Sequence, residues 1–482
     1  MSSPTAPSAG TARWWALALI ATAQFMVIMD TSIIGVALPE MQADLGFTQH
    51  NLSWVFNAYV VAFGGLLLLG GRLSDLFGAR RMFATGWVIL LLGSFVAGIA
   101  GNVGVELTGR VVQGMGAALI APSALTLLMM LFGSNPKELT KALALYGAAA
   151  PAGGTAGVFL GGVLTEYASW PWVFYINIPI AVIALLATRA LMPSGAMGGG
   201  GSIDLFGALT VTLGLAAAVY GIVRAPESGW NSSETWVALG IAALLLIAFF
   251  VSQAKTRDPL MRLSIFRTPN LGAANLAQLL LGAAWIPMWF FLNLYLQQVL
   301  GYNAFPSGAA LLPMTGLIML GMIVLAPRVI GTLGPKVPIV VGLLILALGL
   351  GWLSLARPDG NYWIDVLPAS LVAALGMSLA FIPSLSTAIS AARPEEGGLA
   401  SGIVNTSYQV GSALGLAAMT AVAAAYGADQ LGNKAALTDG FSAAFLGAAA
   451  IALAGAAVAL ITIRTPKPNA GAAPADATTS AT

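Results

Sequence analysis

Two charged side chains lie inside long apolar stretches of this sequence. Asp30 stands in FMVIMDTSIIGVALP, residues 25–39, and Arg110 follows Glu106 by a few residues in a second apolar stretch. A charge at membrane depth is costly, so such residues usually face protein or water and are functional. We expect Asp30 to bind and release a proton and Arg110 to modulate that carboxyl. The alternative is an ion pair that only joins two helices.

These residues need a membrane framework, and the composition predicts one. The chain has 482 residues, of which 58% are hydrophobic and 8% charged, and its mean hydropathy is +0.87. A soluble domain carries roughly 25% charged residues. We therefore predict an all-α integral membrane protein.

The number of spans follows from the length of the apolar stretches, because one crossing needs about 20 apolar residues. Fourteen predicted spans are numbered in chain order. They are 14–38, 52–71, 83–103, 106–131, 141–165, 172–192, 204–223, 235–253, 270–296, 307–326, 337–356, 363–390, 398–425 and 440–463.

The distribution of basic residues predicts the orientation. Of the 20 Lys and Arg, 16 fall in the two tails and the loops on one side, 3 fall in the other loops, and Arg110 lies within a span. Cytoplasmic loops carry the excess of Lys and Arg. Both termini are therefore expected in the cytoplasm.

The composition also argues against several function classes. The sequence has no cysteine and one histidine, so thiol chemistry and a metal centre are poorly supplied. The basic residues lie between apolar stretches, which indicates topology and not nucleic-acid binding. We expect no catalytic residues, no metal and no cofactor, and we do not expect an enzyme.

Two loops repeat one another across the chain. GRLSDLFGAR, residues 71–80, follows span 2, and PRVIGTLGPK, residues 327–336, follows span 10. The offset is eight spans, which fits two six-helix halves with spans 7 and 8 inserted between them. Parallel repeats of six helices are a transporter architecture with the substrate site at their interface.

Four motifs carry a family resemblance. They are MDTSIIGVALP in span 1, G-x-L-x-D-x-x-G-x-R-R at 71–81, RVVQGMGA in span 4, and GGTAGVFLGG in span 5, followed by WPWVFYINIPI. With these motifs the chain resembles the major facilitator superfamily, specifically the fourteen-helix drug:proton antiporters of EmrB/QacA type. Leu76 and Ala79 replace residues that are usually basic, and Val158 replaces a usual proline.

The resemblance implies a domain plan and a function. The expected parts are a disordered cytoplasmic tail at 1–13, an N-terminal six-helix bundle at 14–192, inserted helices at 193–256, a C-terminal six-helix bundle at 257–464 and a second tail at 465–482. The implied function is proton-coupled efflux of lipophilic drugs across a bacterial cytoplasmic membrane by alternating access. The expected partners are a small lipophilic substrate, protons and membrane lipid. The protein is expected to function as a monomer. The alternative is a transporter of a metabolite or lipid, with another coupling direction.

Two motifs are expected to move or pack helices. The resemblance makes the loop after span 2 a gate, with Gly71, Asp75, Gly78 and Arg80 as its residues, although its arginines also serve as positive-inside anchors. In span 5, Gly153, Gly157 and Gly161 recur every four residues and Gly162 follows. Such spacing produces a groove for close helix packing. The family associates this segment with antiport.

The substrate cavity is predicted chiefly from span 9. Its amides and tryptophans fall within about 80° of arc at 100° per residue, on a face that we expect to look towards Asp30. This face suits flat or lipophilic substrates, whereas the competing interpretation places the tryptophans at the membrane interface. Weaker candidates come from spans 2, 4 and 13, and Gln113 also suits plain interhelical hydrogen bonding. The predicted cavity residues are Asn57, Gln113, Asn275, Gln278, Trp285, Trp289, Asn293, Asn405 and Tyr408.

Overall fold

A computed structural model describes residues 9–47, 54–193, 204–256, 259, 263, 268, 270–391, 397–428, 430 and 432–464. Within these residues all regular structure is helical, and fourteen helices are long and apolar enough to cross a membrane. The predicted all-α fold with fourteen spans is confirmed.

The spans are built from the following helices. They are Ala9–Ser32 and Ile34–Leu45 (span 1), Trp54–Phe77 (span 2), Ala79–Gly98 (span 3), Val103–Phe132 (span 4), Pro136–Tyr167 (span 5), Trp172–Tyr175 and Asn177–Leu191 (span 6), Leu205–Ser228 (span 7), Ser233–Lys255 (span 8), Leu271–Leu294 with the π-helix Tyr295–Val299 (span 9), Ala304–Ala310, Leu312–Leu320, the π-helix Gly321–Leu325 and Ala326–Leu333 (span 10), Lys336–Leu353 (span 11), the π-helix Tyr362–Val366 with Leu367–Ala391 (span 12), Gly397–Ala425 (span 13) and Lys434–Thr462 (span 14).

The packing of the spans repeats with an offset of eight. Span 3 packs along span 4 as span 11 packs along span 12, and span 1 packs along span 5 as span 9 packs along span 13. One apolar core consists mainly of buried residues of spans 1–6 and another mainly of those of spans 9–14, and a few residues of each bundle join the core of the other. Spans 7 and 8 pack on each other, and span 7 also lies against spans 2 and 13. Two six-helix bundles with two added helices therefore make up the molecule.

The first helix begins earlier than the sequence predicted. Residues 9–13 were assigned to a tail, yet the helix starts at Ala9, and Arg13 donates a 2.9 Å hydrogen bond to Glu138 of span 5. This ion pair gives the first helical turn a partner outside the apolar stretch. Residues 1–8 and the tail predicted at 465–482 lie outside the described part of the chain.

Span 1 is interrupted close to Asp30. The helix ends at Ser32, and a second helix runs from Ile34 past Pro39 to Leu45. The hydroxyls of Thr31 and Ser32 both donate to the carbonyl oxygen of Ile28, at 2.7 and 3.1 Å. Such hydroxyl bonds to the preceding turn bend a helix, which gives the interruption a local cause.

An even number of spans puts the two described chain ends on the same side of the membrane. We call that side the basic face, because it carries the loops rich in Lys and Arg, and the other side the opposite face. Span 4 starts at the opposite face with Val103, after Asn102 caps the helix by accepting a hydrogen bond from the Val105 amide.

Candidate functional site

Asp30 lies inside the first bundle and is 1% exposed. Its Oδ2 accepts a 2.7 Å hydrogen bond from Arg110 Nη1, and its Oδ1 accepts bonds of 2.9 Å from Gln113 Nε2 and 2.6 Å from Asn177 Nδ2. Spans 1, 4 and 6 thus meet at one carboxylate. Three donors offset much of the cost of burying its charge.

Arg110 is fully buried and is held from several directions. Its Nε donates to the Val55 carbonyl oxygen at 2.8 Å, and its Nη1 also donates to Gln113 Oε1 at 2.7 Å. The Tyr59 ring lies over the guanidinium, with 4.7 Å from the ring centroid to Cζ. The guanidinium therefore has a cation–π contact on one face, while its Nη2 has no partner among the described residues.

Two members of this network were absent from the sequence prediction. Asn177 opens the second helix of span 6, and Ser94 of span 3 accepts from Gln113 at 2.8 Å and from Asn177 at 3.3 Å. Asn177 stands in INIPI, the end of a quoted motif, and a lone amide in an apolar stretch is a usable signal. No comparable signal marks Ser94, because serine is common in apolar helices.

Gln113 does not lie in the substrate cavity, where the sequence predicted it. Its side chain is fully buried and bridges Asp30, Arg110 and Ser94 inside the first bundle. Gly114 and Ala117, which share its helix face, are also buried. The amide therefore serves the carboxylate network in this conformation and does not line an open cavity.

Asp30 is not the only acid buried in this bundle. Glu106 lies in the first turn of span 4, one turn before Arg110, and is fully buried. The sequence predicts residues 103–106 at the edges of spans 3 and 4, whereas Val103, Val105 and Leu107 pack on a buried apolar cluster at this end of span 4. Two carboxyl groups therefore flank Arg110.

The polar face of span 9 is divided between the core of the second bundle and the interface. Asn275 and Gln278 are buried, and Trp285 is 6% exposed. Asn275 accepts from the Ser407 hydroxyl at 3.1 Å, and Gln278 donates to Ser384 Oγ at 3.0 Å. These two amides join span 9 to spans 13 and 12.

Trp289 and Asn293 lie further along span 9 and are half-buried. Trp289 contacts the first bundle: a Cβ placed on Gly154 would lie 3.6 Å from Trp289 Cζ2, 3.7 Å from Ser32 Oγ and 3.8 Å from a methyl of Ile28. Asn293 accepts a hydrogen bond of 2.6 Å from Ser307 of span 10. Trp289 therefore lies beside Gly154 of span 5, close to the part of span 1 that carries Ile28 and Ser32.

The prediction that the polar face of span 9 looks towards Asp30 is wrong in this conformation. Ile28 and Ser32 are two residues from Asp30 on either side, and at 100° per residue they lie on the far side of span 1. The donors to Asp30 come from spans 4 and 6, which turns the carboxylate into the first bundle. Span 1 therefore separates the interface from the carboxylate.

Span 13 and span 2 supply the remaining predicted cavity residues. Tyr408 and Asn405 are half-buried, and the ring of Tyr408 lies edge-on to Phe381 with 5.6 Å between centroids. Asn57 lies in the helix of span 2, but its side chain is outside the described part.

Glycines of span 5 make the closest contacts with span 1. A Cβ on Gly153 would overlap the Phe25 carbonyl oxygen, one on Gly157 would lie 2.8 Å from that of Met29, and one on Gly161 would lie 2.6 Å from that of Ile33. Gly162 has open space around it. The four-residue repeat is the contact with span 1, and the helix continues through Pro151.

The loop after span 2 binds the end of span 6. Gly78 has φ +91°, a value that suits glycine, and precedes the helix of span 3. Arg80 donates a 2.7 Å hydrogen bond from Nη2 to the Arg189 carbonyl oxygen in the last turn of span 6. Gly71 is buried and Asp75 half-buried. Within the described ranges no group of three or more His, Cys, Asp or Glu is placed to hold a metal ion.

The chain is similar to known transport proteins in sequence and in fold. A family model described as Major Facilitator Superfamily matches residues 20–416. The cephamycin export protein of Amycolatopsis lactamdurans is 39% identical over 442 residues, 91% of this chain and 90% of that protein. The puromycin resistance protein of Streptomyces alboniger is 38% identical over 434 residues, 89% and 86% of the two chains. The solved structure of the human organic anion transporter MFSD10 matches with a TM-score of 0.64 at 14% identity, over 93% of this chain and 99% of that one.

Proposed function

Because the chain belongs to the major facilitator superfamily, we propose that it exports a small lipophilic antibiotic or drug in exchange for protons. The predicted family is confirmed, and the protein is a multi-pass protein of the cell membrane. The names of its relatives, which include export and resistance proteins, support efflux as the direction of transport.

The observation that carries the proton coupling is the buried network around Asp30. It is a carboxylate held by three side-chain donors from two other spans. A proton on Asp30 neutralises the anion that balances Arg110, and the guanidinium must then find other partners. Uptake of one proton therefore changes how spans 1, 4 and 6 hold each other.

Span 1 connects this network to the proposed substrate surface. Its interface side carries Ile28 and Ser32 next to Trp289, and its other side carries Asp30. We place the lipophilic substrate against Trp289, with Tyr408 of span 13 nearby as a second aromatic group. Proton and substrate then act on the same helix without touching each other.

The proposed cycle uses rigid movement of the two bundles. The proposed orientation puts the basic face in the cytoplasm. Substrate enters from that face as Asp30 releases its proton there. After substrate release, a proton from the opposite face binds Asp30 and restores the starting conformation. One charge moving through 100 mV is worth about 2.3 kcal/mol, which suffices for uphill export. The unit that carries out this cycle is a monomer, since both bundles lie in one chain.

The test is a proton-flux assay in inside-out membrane vesicles whose lumen is acidified by respiration. Puromycin, taken from the name of one relative, serves as the probe and a fluorescent pH dye as the readout. Antiport predicts that puromycin raises luminal pH in vesicles with the wild-type protein and not in vesicles with Asp30→Asn.

A drug panel extends the assay to other lipophilic antibiotics. Absence of any drug-dependent pH change across the panel would contradict proton-coupled efflux. A fall of luminal pH on drug addition would indicate transport in the same direction as the proton, as in an importer.

A further inference from the structure

Glu106 is the buried charged group that the proposed cycle leaves without a role. Its side chain is fully buried, and neither carboxylate oxygen accepts a hydrogen bond from any residue that the structure describes. A buried carboxylate without a donor is expensive. An acid in this position needs a physical explanation.

The surroundings of Glu106 are apolar. Its sequence neighbours Val105 and Leu107 pack on an apolar cluster at the opposite face, which includes Val55 and Phe174. An acid in the first turn of a helix gains from the helix dipole, but an exposed acid gains this as well. The dipole alone therefore does not account for complete burial.

Two charged groups interact electrostatically with the Glu106 carboxyl. They are Arg110, four residues later on the same helix, and Asp30 from span 1. Residues four apart on a helix are neighbours, with roughly 5–6 Å between their Cβ atoms. Tyr59 of span 2 lies against the guanidinium, and Arg110 therefore interacts with both acids from a position that the Tyr59 ring helps to fix.

Arg110 has one unused hydrogen-bond donor. Its Nε and Nη1 bind Val55, Gln113 and Asp30, while its Nη2 has no partner in the described part of the chain. Unused oxygens on Glu106 and an unused donor on the neighbouring arginine make two halves of an ion pair that is not formed in this conformation.

We propose that Glu106 is a second proton-binding group and the alternative partner of Arg110. When Asp30 is charged, Arg110 pairs with it and Glu106 holds the proton. When Asp30 is protonated, Arg110 turns to Glu106, which is then the anion. This inference rests on the proton coupling proposed above and adds the residue through which a proton reaches Asp30.

The exchange balances in protons and charge. The O–H bond of Glu106 breaks, an O–H bond forms on Asp30, and the trio of two carboxyls and one guanidinium has zero net charge before and after. No extra charge enters the bilayer, which is the costly step for any intramembrane relay. Glu106 also lies nearer the start of span 4 at the opposite face, where an exporter takes up its proton.

The first test is infrared spectroscopy of the purified full-length protein in lipid nanodiscs, with Glu106→Gln and the exposed-site control Glu40→Gln. We expect a protonated-carboxyl band at neutral pH that Glu106→Gln removes and Glu40→Gln leaves. In Asp30→Asn the same band should vanish, because Arg110 then pairs with Glu106. A band that persists in Asp30→Asn, or a wild-type spectrum in Glu106→Gln, overturns the proposal.

The second test is the pH profile of puromycin-driven proton flux in proteoliposomes. Positioned proton-transfer groups contribute roughly a hundredfold or more to rate, so Glu106→Gln should slow flux by about that factor and displace its pH optimum. Glu106→Asp should restore much of the rate. An unchanged profile in Glu106→Gln contradicts the relay.

The two proposals fail in different ways. If the wild-type protein moves no protons with drug, the proposed function fails, whatever the infrared spectra show. If the wild type couples and the infrared exchange is absent, the role of Glu106 alone fails. If Glu106→Gln does not fold, the comparison of wild type with Asp30→Asn by infrared still decides the matter.

Discussion

At the residue scale, the central feature is a charge balance buried in the first bundle. Arg110 is 0% and Asp30 1% exposed, with 2.7 Å between their charged atoms. Removing one member of a buried pair is far more harmful than removing both, because the remaining charge is left without a partner. The unfolding free energies of single and double variants of this pair can therefore show whether the two residues stabilise the protein together.

Arg110→Met is predicted to lower the free energy of unfolding by about 3 kcal/mol or more. The double variant Asp30→Asn/Arg110→Met should recover part of that loss, because no charge then lacks its partner. Denaturant unfolding in detergent measures both.

The control for this cycle is Arg13→Met, which removes a half-exposed ion pair with Glu138. Exposed pairs contribute about 0–1 kcal/mol, so this variant should unfold almost as the wild type does. Equal losses in Arg110→Met and the double variant would contradict the coupling of Asp30 and Arg110.

Trp289→Ala should weaken puromycin binding about tenfold, since truncating a central aromatic contact costs roughly 1–2 kcal/mol. Trp236→Ala is the control, because this tryptophan is 63% exposed on span 8. Equilibrium binding to purified protein distinguishes them. Equal affinity in the two variants would remove Trp289 from the substrate surface.

The sequence alone predicted that Asp30 and Arg110 interact, because charged residues in apolar helices are easily recognised. It did not indicate which way Asp30 points. That direction depends on Asn177, whose amide donates to Asp30 and to Ser94 of span 3, and so on how span 6 packs against spans 1 and 3. Glu106 was missed because the burial of a helix end depends on how other helices pack against it, which the sequence of that helix does not show.

At the element scale, span 1 depends on its contact with span 5. Three glycines spaced by four residues allow the two backbones to touch, while the adjacent Gly162 faces open space. The sequence predicted this groove from spacing alone, as small residues at a helical repeat do. The interruption of span 1 at Ile33 was not predicted, because it arises from hydroxyl bonds to the preceding turn.

Gly157→Ala should sharply reduce the yield of folded protein and its thermal stability, since the new methyl would lie 2.8 Å from the Met29 carbonyl oxygen and 2.9 Å from Ser32 Cβ. Gly162→Ala carries the same chemical change without a neighbour. Alanine is favoured over glycine in helices by about 1 kcal/mol, so this control should be neutral or stabilising. Indistinguishable thermal unfolding of the two variants would contradict the close contact.

At the scale of the whole molecule, the bundles meet through spans 5 and 10 and through spans 2 and 13. The hydroxyl oxygens of Thr155 and Thr315 lie 2.5 Å apart, and the rings of Phe159 and Phe305 lie 5.2 Å apart between centroids. Alternating access requires such contacts to open during the cycle. The predicted repeat of two halves is visible in the packing. The sequence does not indicate which contacts between the bundles are closed, because that depends on the conformation.

Thr155→Cys/Thr315→Cys should form a disulfide on oxidation and stop transport reversibly. The chain has no cysteine of its own, so no background substitutions are needed. Each single cysteine variant, treated with the same oxidant, is the control. Full transport with the cross-link in place would show that this contact stays closed throughout the cycle.

The central claim is that Asp30 exchanges the proton while the substrate binds on the other side of span 1. The most direct measurement is proton release by purified protein in weakly buffered solution on addition of puromycin, together with binding affinity, for the wild type and Asp30→Asn. We expect the wild type to release protons. Asp30→Asn, which mimics the protonated carboxyl, should release none and should still bind puromycin, with a lower affinity than the wild type because the proton and the substrate are linked. Undiminished release by Asp30→Asn would contradict the account, and so would loss of its puromycin binding in a folded protein.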